Sequence, residues 1–351
     1  MEKPKIISLG YAVPQYSYGQ ETIFKTLSYP RHFWRIYRDA GIQKRHFCIP
    51  LERIRQLSFQ AQQETYREEA VRLSKQATIN CLDGRDPKEI GCLVYCSCTG
   101  FGDPGPTVGH YLIRELGLRQ DILIKSIRAQ GCEGGGFPGL GTAVDFTVAH
   151  QQPSLVVACE LTSLTYYPEP DGKPDPENDW ELLRANAIFA DLASAVLVGL
   201  DHDLKHPFIL DSEAFTDTAY LDDLGYTWRN GRLRVLLSKR VPITARDVTE
   251  KAVRKLLTRH KLEVEDINYW VVHAAGMRVI DLIRNTLGIA EEKLKFSKEF
   301  LKNYGNTSSA TVGGVAKMLI QQVAPQYGEY LMVITVGPGV TGGASLLQFG
   351  D

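Results

Sequence analysis

The sequence lacks an excess of charge of either sign and lacks any long apolar run. Its 351 residues include 40 Lys and Arg against 41 Asp and Glu, which gives a formal net charge of -1. Such a chain has no general attraction to nucleic acid or to an anionic membrane, so we expect neither as a partner. No apolar run approaches the roughly 18 residues that span a bilayer. The first residues lack the apolar core of a signal peptide, and we therefore expect a cytoplasmic protein.

The cysteines lack a pattern that would indicate a disulfide framework or a zinc site. The sequence has 7, an odd number, and their spacing is irregular. We expect reduced thiols, as in other proteins without a secretory signal. Cys96 and Cys98 form a C-x-C pair, but no second pair of ligands lies near it, so zinc is not expected.

Cys132 has the most informative surroundings in the chain. The apolar run at 122–127 predicts a short buried strand before it, and residues 137–150 predict a helix after it. Unpaired N–H groups and the positive end of a helix dipole favour a thiolate at such a turn. Neighbouring glycines let the backbone pass close to another segment. Cys132 is therefore either a nucleophile or a buried structural cysteine, and this stretch alone does not decide between them.

Helices and strands alternate along the first half of the chain. We predict strands over 6–10, 92–96 and 154–160, a helix over 59–82, an exposed loop over 167–180 and a last strand ending at Gly199. The stretch up to residue 50 predicts irregular structure with one short helix. Arg31, Arg35 and Arg38 fall on one face of that helix. They form a solvated basic face, a phosphate site or a docking surface for an acidic carrier protein.

The second half of the chain repeats the order of the first. The matched pairs are 70–75 with 252–257, 88–100 with 265–276, the Cys132 element with 303–310, and 155–161 with 330–337. We predict two fused copies of one α/β unit, with residues 1–205 carrying the cysteine and residues 206–351 carrying a histidine and an asparagine. Equivalent strand ends then converge, which would bring Cys132, His273 and Asn306 together.

These three side chains suit nucleophilic catalysis. A cysteine nucleophile needs a partner that holds it as a thiolate, and His273 at a strand end can form a thiolate–imidazolium pair. The amide of Asn306 can donate to a developing oxyanion. Taken singly, His273 is more simply a partly buried histidine and Asn306 a turn or cap residue. Their equivalent places in a duplicated unit favour the catalytic interpretation.

Five short motifs follow one another in an informative order. They are Gln130-Gly131-Cys132, Phe189-Ala190-Asp191-Leu192-Ala193, Trp270-Val271-Val272-His273, Tyr304-Gly305-Asn306-Thr307-Ser308-Ser309-Ala310 and Gly337-Pro338-Gly339. With them, the chain resembles the type III polyketide synthases, the chalcone-synthase-like family of the thiolase superfamily, over most of its length. The resemblance implies an α/β, thiolase-like duplicated five-layer αβαβα fold and a homodimer.

The resemblance also implies a reaction. Cys132 takes an acyl starter from acyl-CoA, while His273 and Asn306 bind malonyl-CoA and stabilise the enolate left by decarboxylation. The chain grows by two carbons per cycle and then cyclises to a resorcinol, phloroglucinol or pyrone. CoA thioesters are the substrates, and no metal or redox cofactor is expected.

The same resemblance assigns further roles. Phe189 is the expected gatekeeper, and Gly337, Pro338 and Gly339 shape the active-site floor. The pocket wall is expected to include Cys98, Thr162, Thr165 and Val235, whose small members suggest room for a bulky or long acyl chain. Arg35, assisted by Arg31 and Arg38, is expected near the CoA phosphates.

Several residues depart from the family pattern. Glu133 follows the nucleophile, where its charge would raise the thiol pKa unless it points away or pairs with a cation. Asp191-Leu192 replaces the usual D-G, and Asp103 replaces an apolar residue. These departures leave two alternatives open: a single-round ketoacyl synthase or chain-joining enzyme that takes acyl chains from a carrier protein, and a homologue without catalytic activity.

Overall fold

Apolar strands rich in Val, Ile, Leu and Ala form the centre of the molecule. The computed structural model describes residues 3–100, 105–128, 132, 134–165, 180–201, 203, 206–229 and 232–350. Within these residues the strands are β1 (Lys5–Ala12), β2 (Tyr16–Gly19), β3 (Lys44–Phe47), β4 (Cys92–Ser97), β5 (Leu123–Arg128), β6 (Ser154–Glu160), β7 (Leu192–Gly199), β8 (Pro207–Thr216), β9 (Leu224–Arg229), β10 (Arg232–Leu237), β11 (Ile267–Val272), β12 (Tyr330–Gly337) and β13 (Thr341–Phe349). Strands β4, β6 and β7 are buried along their whole length, which is typical of a sheet covered by helices on both faces.

Ten α-helices accompany these strands in the described part of the chain. They are α1 (Gln20–Thr26), α2 (Trp34–Arg38), α3 (Phe59–Leu82), α4 (Val108–Leu116), α5 (Phe137–His150), α6 (Trp180–Ile188), α7 (Val241–His260), α8 (Met277–Leu287), α9 (Lys295–Tyr304) and α10 (Thr311–Gln322). Helix α3 has the predicted bounds because both ends carry clear signals. Ser58 accepts the Ala61 N–H at 3.2 Å, and Asp83 adopts a left-handed conformation with φ of 48°.

The large sheet repeats one pairing pattern in its two halves. Its strand order is β11-β12-β13-β8-β1-β7-β6-β4-β5. On the β1 side, β1–β7 and β7–β6 pair antiparallel, and β6–β4 and β4–β5 pair parallel. On the β8 side, β8–β13 and β13–β12 pair antiparallel, and β12–β11 pair parallel. The two halves join at β1 and β8, where Lys5 pairs with Phe208. This topology matches the repeat that the sequence predicts.

Helices α5 and α10 form a layer between the two halves of the sheet. Helix α5 contacts β4 and β6 on one side and β8 and β13 on the other, and α10 likewise contacts strands of both halves. Gly135 permits the close packing there, because a Cβ atom at this position would lie 2.2 Å from the Ser309 carbonyl oxygen. The element that carries Cys132 therefore lies directly against the element that carries Asn306.

Strand β5 differs from the sequence prediction of a buried strand. All six of its residues are exposed or half-buried, and Leu123 is 41% exposed. The strand lies at the edge of the sheet and pairs only with β4 among the described residues. An apolar run predicts a strand but does not tell whether a second strand covers its outer edge.

Other sequence predictions need correction or lie outside the described residues. The stretch up to residue 50, predicted to be mostly irregular, contains β2, β3 and two helices. Of the predicted loop at 167–180, residues 167–179 are not among the described residues, and Trp180 begins α6 instead. Asp103 and Glu133 are also outside the described residues. The division into 1–205 and 206–351 falls between β7 and β8 and stays a prediction. None of the described helices is long and apolar enough to cross a membrane.

Candidate active site

Cys132, His273, Asn306 and Phe189 line one cavity of about 390 Å³. Much of the remaining lining is aliphatic and comes from both halves of the chain. These side chains include Ile36, Ile188, Leu224, Leu237, Val241 and Val279. The structure thus brings the three predicted catalytic side chains to a common, mostly apolar space, while their catalytic roles stay predictions.

Cys132 lies at the turn that precedes α5. Its side chain is 7% exposed, and its thiol donates to Ser308 Oγ at 3.6 Å. The Gly139 N–H donates to the Gly134 carbonyl, so the helical turns begin just after the cysteine. The cysteine therefore has the strand–turn–helix setting that the sequence predicts.

His273 follows directly after β11 and is 2% exposed. Its backbone N–H donates to the Ile334 carbonyl of β12 at 2.9 Å, which fixes the position of the residue. Neither ring nitrogen has a hydrogen-bond partner among the described residues. Burial lowers the pKa of the imidazole from 6.5 to about 3. The ring is therefore neutral at neutral pH, and the predicted imidazolium would need a thiolate or another anion in the cavity as its counter-charge.

Asn306 and Phe189 are held together by a short parallel bridge. The Asn306 N–H donates to the Ile188 carbonyl, and the Ala190 N–H donates to the Asn306 carbonyl, each at 2.9 Å. Asn306 Oδ1 accepts the Ser308 N–H at 2.9 Å, and Nδ2 donates to the Ala275 carbonyl at 3.3 Å. Because Oδ1 is occupied in this way, the amide directs its N–H₂ group toward Ala275, a lining residue two positions after His273.

A hydrogen-bonded cluster of Cys98, Thr99, Glu160, Ser308 and Ser309 lies behind Cys132. Glu160 ends β6 with no exposed surface, and it accepts the Cys98 and Thr99 N–H groups at 3.1 Å and the hydroxyls of Thr99 and Ser309. Burial raises the pKa of its carboxyl group. Ser308 Oγ lies 3.2 Å from Cys98 Sγ and also contacts the Cys132 thiol. This cluster connects the ends of β4 and β6 to the second half.

Tyr226 closes the same side of the site. Its hydroxyl donates to Cys98 Sγ at 2.7 Å, and it pairs across the β9–β10 hairpin with Val235. Burial, and then the charge of Glu160, raise the pKa of the Cys98 thiol well above its ordinary value. Cys98 and Val235 therefore stand beside a tyrosine side chain, and the room for a long acyl chain that small residues suggest is reduced there.

The other predicted pocket residues do not line the cavity around Cys132. The Thr162 hydroxyl donates to Asp191 at 3.2 Å, and Thr165 lines a separate small pocket with Phe59 and Trp228. Gly337 ends β12, and Pro338 and Gly339 lie in the turn before β13, where the Gly339 N–H donates to the Leu224 carbonyl at 2.7 Å. Their assignment to the wall and floor of the pocket stays a prediction.

The cations at the mouth of the cavity are not the predicted ones. Arg31, Arg35 and Arg38 lie on or just before α2, but none of them lines the cavity, and Arg35 and Arg38 pair with Asp39. The exposed lining residues, which mark the opening, are Asp39, Lys239 and Arg278. Neither Lys239 nor Arg278 has an ion pair among the described residues.

Sequence reasoning missed the residues that support the site. Glu160 ends an apolar strand. Because a glutamate is rarely buried without partners, a carboxylate in that place could have indicated a residue that supports the site. Lys239 and Arg278 gave no such signal, because they are far apart in sequence and only the fold brings them together. Among the described residues, no group of three or more His, Cys, Asp or Glu side chains is arranged to hold a metal ion.

The two halves of the chain match two family models. Residues 40–202 match the N-terminal domain of chalcone and stilbene synthases, and residues 257–349 match the C-terminal part of 3-oxoacyl-[acyl-carrier-protein] synthase III. Each match covers one of the two repeats and includes members of the predicted triad. Cys132 falls within the first match, and His273 and Asn306 fall within the second.

Similar proteins align over most of the chain. A 1,3,6,8-tetrahydroxynaphthalene synthase of Streptomyces coelicolor is 27% identical over 89% of this chain and 81% of its own length. A 3,5-dihydroxyphenylacetyl-CoA synthase of Streptomyces toyocaensis is 25% identical over 99% and 90%. The structure of a type III pentaketide synthase from Neurospora crassa superimposes with a TM-score of 0.84, with 25% identity and 99% of each chain covered. Sequence, repeat topology and fold thus agree, and the chain belongs to the chalcone-synthase-like family of type III polyketide synthases, which share the thiolase-like fold.

Proposed function

We propose that the protein is a decarboxylative condensing enzyme that loads an acyl group on Cys132 and extends it with a malonyl thioester. The observation that carries this proposal is the arrangement of His273 and Asn306 beside Cys132. Two buried donors line the same apolar cavity as a buried thiol, and the imidazole of His273 has no partner among the described residues. Such donors suit a carbonyl oxygen on which negative charge develops.

The reaction proceeds in two stages. The Cys132 thiolate attacks the thioester carbonyl of the starter, the carbon–sulfur bond of the donor breaks, and CoA leaves as a thiolate that takes up the proton lost by Cys132. A malonyl thioester then loses CO₂, and the electron pair of the broken carbon–carbon bond forms an enolate whose oxygen accepts hydrogen bonds from His273 and Asn306. The enolate carbon attacks the acyl carbonyl on Cys132 and releases the thiolate. Nothing is oxidised or reduced, so we propose that no metal or redox cofactor takes part.

The apolar lining supports the second stage. Hydrogen bonds to a developing charge are stronger where water is excluded, and a neutral imidazole can donate one without the cost of burying a cation. Burial keeps His273 neutral, since its pKa is about 3. The Ser308 N–H fixes the direction of the Asn306 amide at 2.9 Å, so that little reorganisation is needed when the enolate forms.

The mouth of the cavity suits a phosphorylated thioester. Lys239 and Arg278 are exposed, line the opening and have no ion pair among the described residues. We propose that they, rather than the three arginines of the α2 region, contact the phosphates of CoA. A donor held on a carrier protein carries a phosphate on its pantetheine arm as well, so both donor types belong in the test.

A product screen tests the proposal. The purified protein is incubated with malonyl-CoA and a panel of short, long and aromatic acyl-CoA esters, with parallel reactions that use carrier-bound thioesters. Mass spectrometry is expected to find condensed products and an acyl adduct on Cys132, together with release of CO₂. Cyclised products would extend the proposal to resorcinol, phloroglucinol or pyrone formation. The absence of product, adduct and CO₂ with every donor would contradict it.

We further propose that the chain forms a homodimer through β5. This strand is an exposed sheet edge, and its last described residue, Arg128, lies four residues before Cys132. Exposed edges readily pair with another chain. Sedimentation is expected to give twice the mass of the chain, and Ile124→Lys on the strand is expected to shift the protein toward the monomer. A monomer at micromolar concentration would contradict this arrangement.

A further inference from the structure

Arg45 is a fully buried arginine that lies between the two halves of the chain. It belongs to β3, and none of its surface is exposed. The rings of Tyr37 and Phe47 flank the guanidinium, with centroids 5.9 and 5.6 Å from Cζ. A guanidinium is costly to remove from water, so its buried position calls for specific partners.

Its partners are carbonyl groups at the C-terminal end of α6. Arg45 Nη1 donates to the carbonyls of Asn186 and Phe189, each at 2.7 Å. The last carbonyls of a helix have no partner within it and carry the negative end of the helix dipole. These carbonyl groups therefore stabilise the positive charge of Arg45, and Arg45 in turn fixes their positions.

Two other groups complete the same helix end. Gln20 Nε2 donates to the Ala187 carbonyl at 2.8 Å, and the Asn306 N–H donates to the Ile188 carbonyl at 2.9 Å. The four consecutive carbonyls of residues 186–189 thus each receive a donor. Arg45 donates to the carbonyls of residues 186 and 189. The carbonyl of residue 188 accepts one of the two hydrogen bonds that form the bridge to Asn306.

The aliphatic part of Arg45 contacts the other half of that bridge. A Cβ atom at Gly305 would lie 2.9 and 3.0 Å from Arg45 Cγ and Cδ. Gly305 also has a φ of 75°, which favours glycine. The stem of Arg45 therefore lies against the backbone just before Asn306, while its guanidinium holds the backbone of Phe189.

We propose that Arg45 is a positioning residue that fixes the bridge between Phe189 and Asn306 and thereby directs both side chains into the cavity. Arg45 does not line the cavity, so it acts through these two residues. The consequence for catalysis rests on the proposed function, but the effect on the bridge itself does not. The two bridge amides, of Ala190 and Asn306, report on that effect directly.

Hydrogen exchange of the folded protein tests the structural part. In Arg45→Lys, which keeps the charge but loses the fork of donors, the Ala190 and Asn306 amides are expected to exchange at least about tenfold faster. The His273 amide, bonded to Ile334 in the neighbouring strand pair, is the internal reference and is expected to be unchanged. Gln20→Met is the matched control, because it removes the donor to Ala187, a carbonyl outside the bridge. Wild-type protection of both bridge amides in Arg45→Lys would overturn the proposal.

Kinetics test the catalytic part. Arg45→Lys is expected to lower kcat for malonyl-CoA decarboxylation at least about tenfold, with KM and the rate of Cys132 acylation changed less than about twofold. In an Asn306→Ala background the same substitution is expected to add less than about twofold, because its effect passes through Asn306. If the two substitutions instead lower kcat by independent factors that multiply in the double variant, the proposal is overturned. If the wild type decarboxylates no malonyl thioester, the proposed function fails, and the exchange measurement still decides the role of Arg45. Should Arg45→Lys not fold, Arg45→Gln, whose neutral amide can still donate a hydrogen bond but lacks the guanidinium fork, replaces it in both measurements.

Discussion

On one side of Cys132 lies the cluster of Cys98, Glu160 and Ser308, and on the other side lie His273 and Asn306. Glu160 and His273 are buried to almost the same degree, at 0% and 2% exposed. Glu160 accepts hydrogen bonds on both oxygens, whereas neither ring nitrogen of His273 has a partner among the described residues.

Because Glu160 has its hydrogen-bond partners and His273 does not, we expect the two sides of Cys132 to serve stability and activity separately. A buried polar group with all its partners holds elements together, while a buried polar group without partners costs free energy until a ligand supplies them. We therefore expect changes on the Glu160 side to affect mainly folding, and changes on the His273 side to affect mainly turnover. Cys132 contacts Ser308 on one side and lines the same cavity as His273 and Asn306 on the other, so we expect it to be the most sensitive position.

The largest effect is expected at Cys132. Cys132→Ala removes the only proposed acyl carrier, so condensed product and acyl adduct are expected to fall by about 10⁴-fold or more. Product chromatography and intact-protein mass spectrometry measure both quantities. Cys92→Ala, which changes a buried cysteine of β4 outside the cavity, is the matched control. Equal losses in the two variants would show that Cys132 has no special role.

The next effect is expected on the His273 side. Asn306→Ala removes a donor to the enolate oxygen, and decarboxylation is expected to fall about 10²- to 10³-fold. The free energy of unfolding is expected to fall by about 1 to 2 kcal/mol, because Asn306 Oδ1 accepts the buried Ser308 N–H, and this is less than the loss of decarboxylation represents. Decarboxylation assays and urea unfolding check the pair of results, with Asn303→Ala on α9 as control. A large loss of stability with little loss of activity would reverse the proposed division.

The matching change on the other side is Glu160→Gln. The amide nitrogen that replaces one carboxylate oxygen cannot accept the N–H and O–H groups that donate to that oxygen, and the free energy of unfolding is expected to fall by about 2 to 3 kcal/mol. Malonyl decarboxylation by the folded variant is expected to change less than about threefold. A variant that keeps its stability but loses decarboxylation would place Glu160 in the reaction.

The cavity mouth gives a smaller effect. Lys239→Glu or Arg278→Glu is expected to raise KM for malonyl-CoA about tenfold and leave kcat nearly unchanged, because we propose that these cations contact the phosphates of CoA and not the reacting atoms. Thioesters of N-acetylcysteamine, which lack phosphates, are expected to show no change. Arg38→Glu is the control, because the sequence predicts that Arg38 lies near the CoA phosphates. A larger rise in KM for Arg38→Glu than for the other two would restore that prediction.

The smallest effect is a pH dependence of stability from His273. Its pKa is about 3 in the folded protein, against 6.5 when unperturbed. Below pH 6.5 the unfolded chain therefore binds the proton more readily, and this residue lowers the free energy of unfolding by about 1.4 kcal/mol per pH unit. Urea unfolding at about pH 7, 6 and 5 is expected to show a shallower decline for His273→Gln than for the wild type. Parallel declines would mean that His273 titrates normally in the fold.

Much of this arrangement could be predicted from local sequence. Helix α3 has its bounds because Ser58 and Asp83 carry end signals, and the triad follows from matching strand ends in a repeated unit. The exposure of β5 could not be predicted, because a run of apolar residues does not show which strand edges are covered. Two other features depend on packing between distant segments and could not be predicted. They are the placement of Lys239 and Arg278 together at the cavity mouth and the contact of Tyr226 with Cys98.

The most direct measurement is the release of CO₂ from malonyl-CoA by two variants, Cys132→Ala and Asn306→Ala. In the proposed reaction Cys132 carries the acyl group, and His273 and Asn306 hold the enolate, so the two steps should separate. Cys132→Ala is expected to release CO₂ within about tenfold of the wild-type rate while forming no adduct, and Asn306→Ala to form the adduct while releasing almost no CO₂. If both variants lose CO₂ release and acylation together, the division of roles across the cavity is wrong.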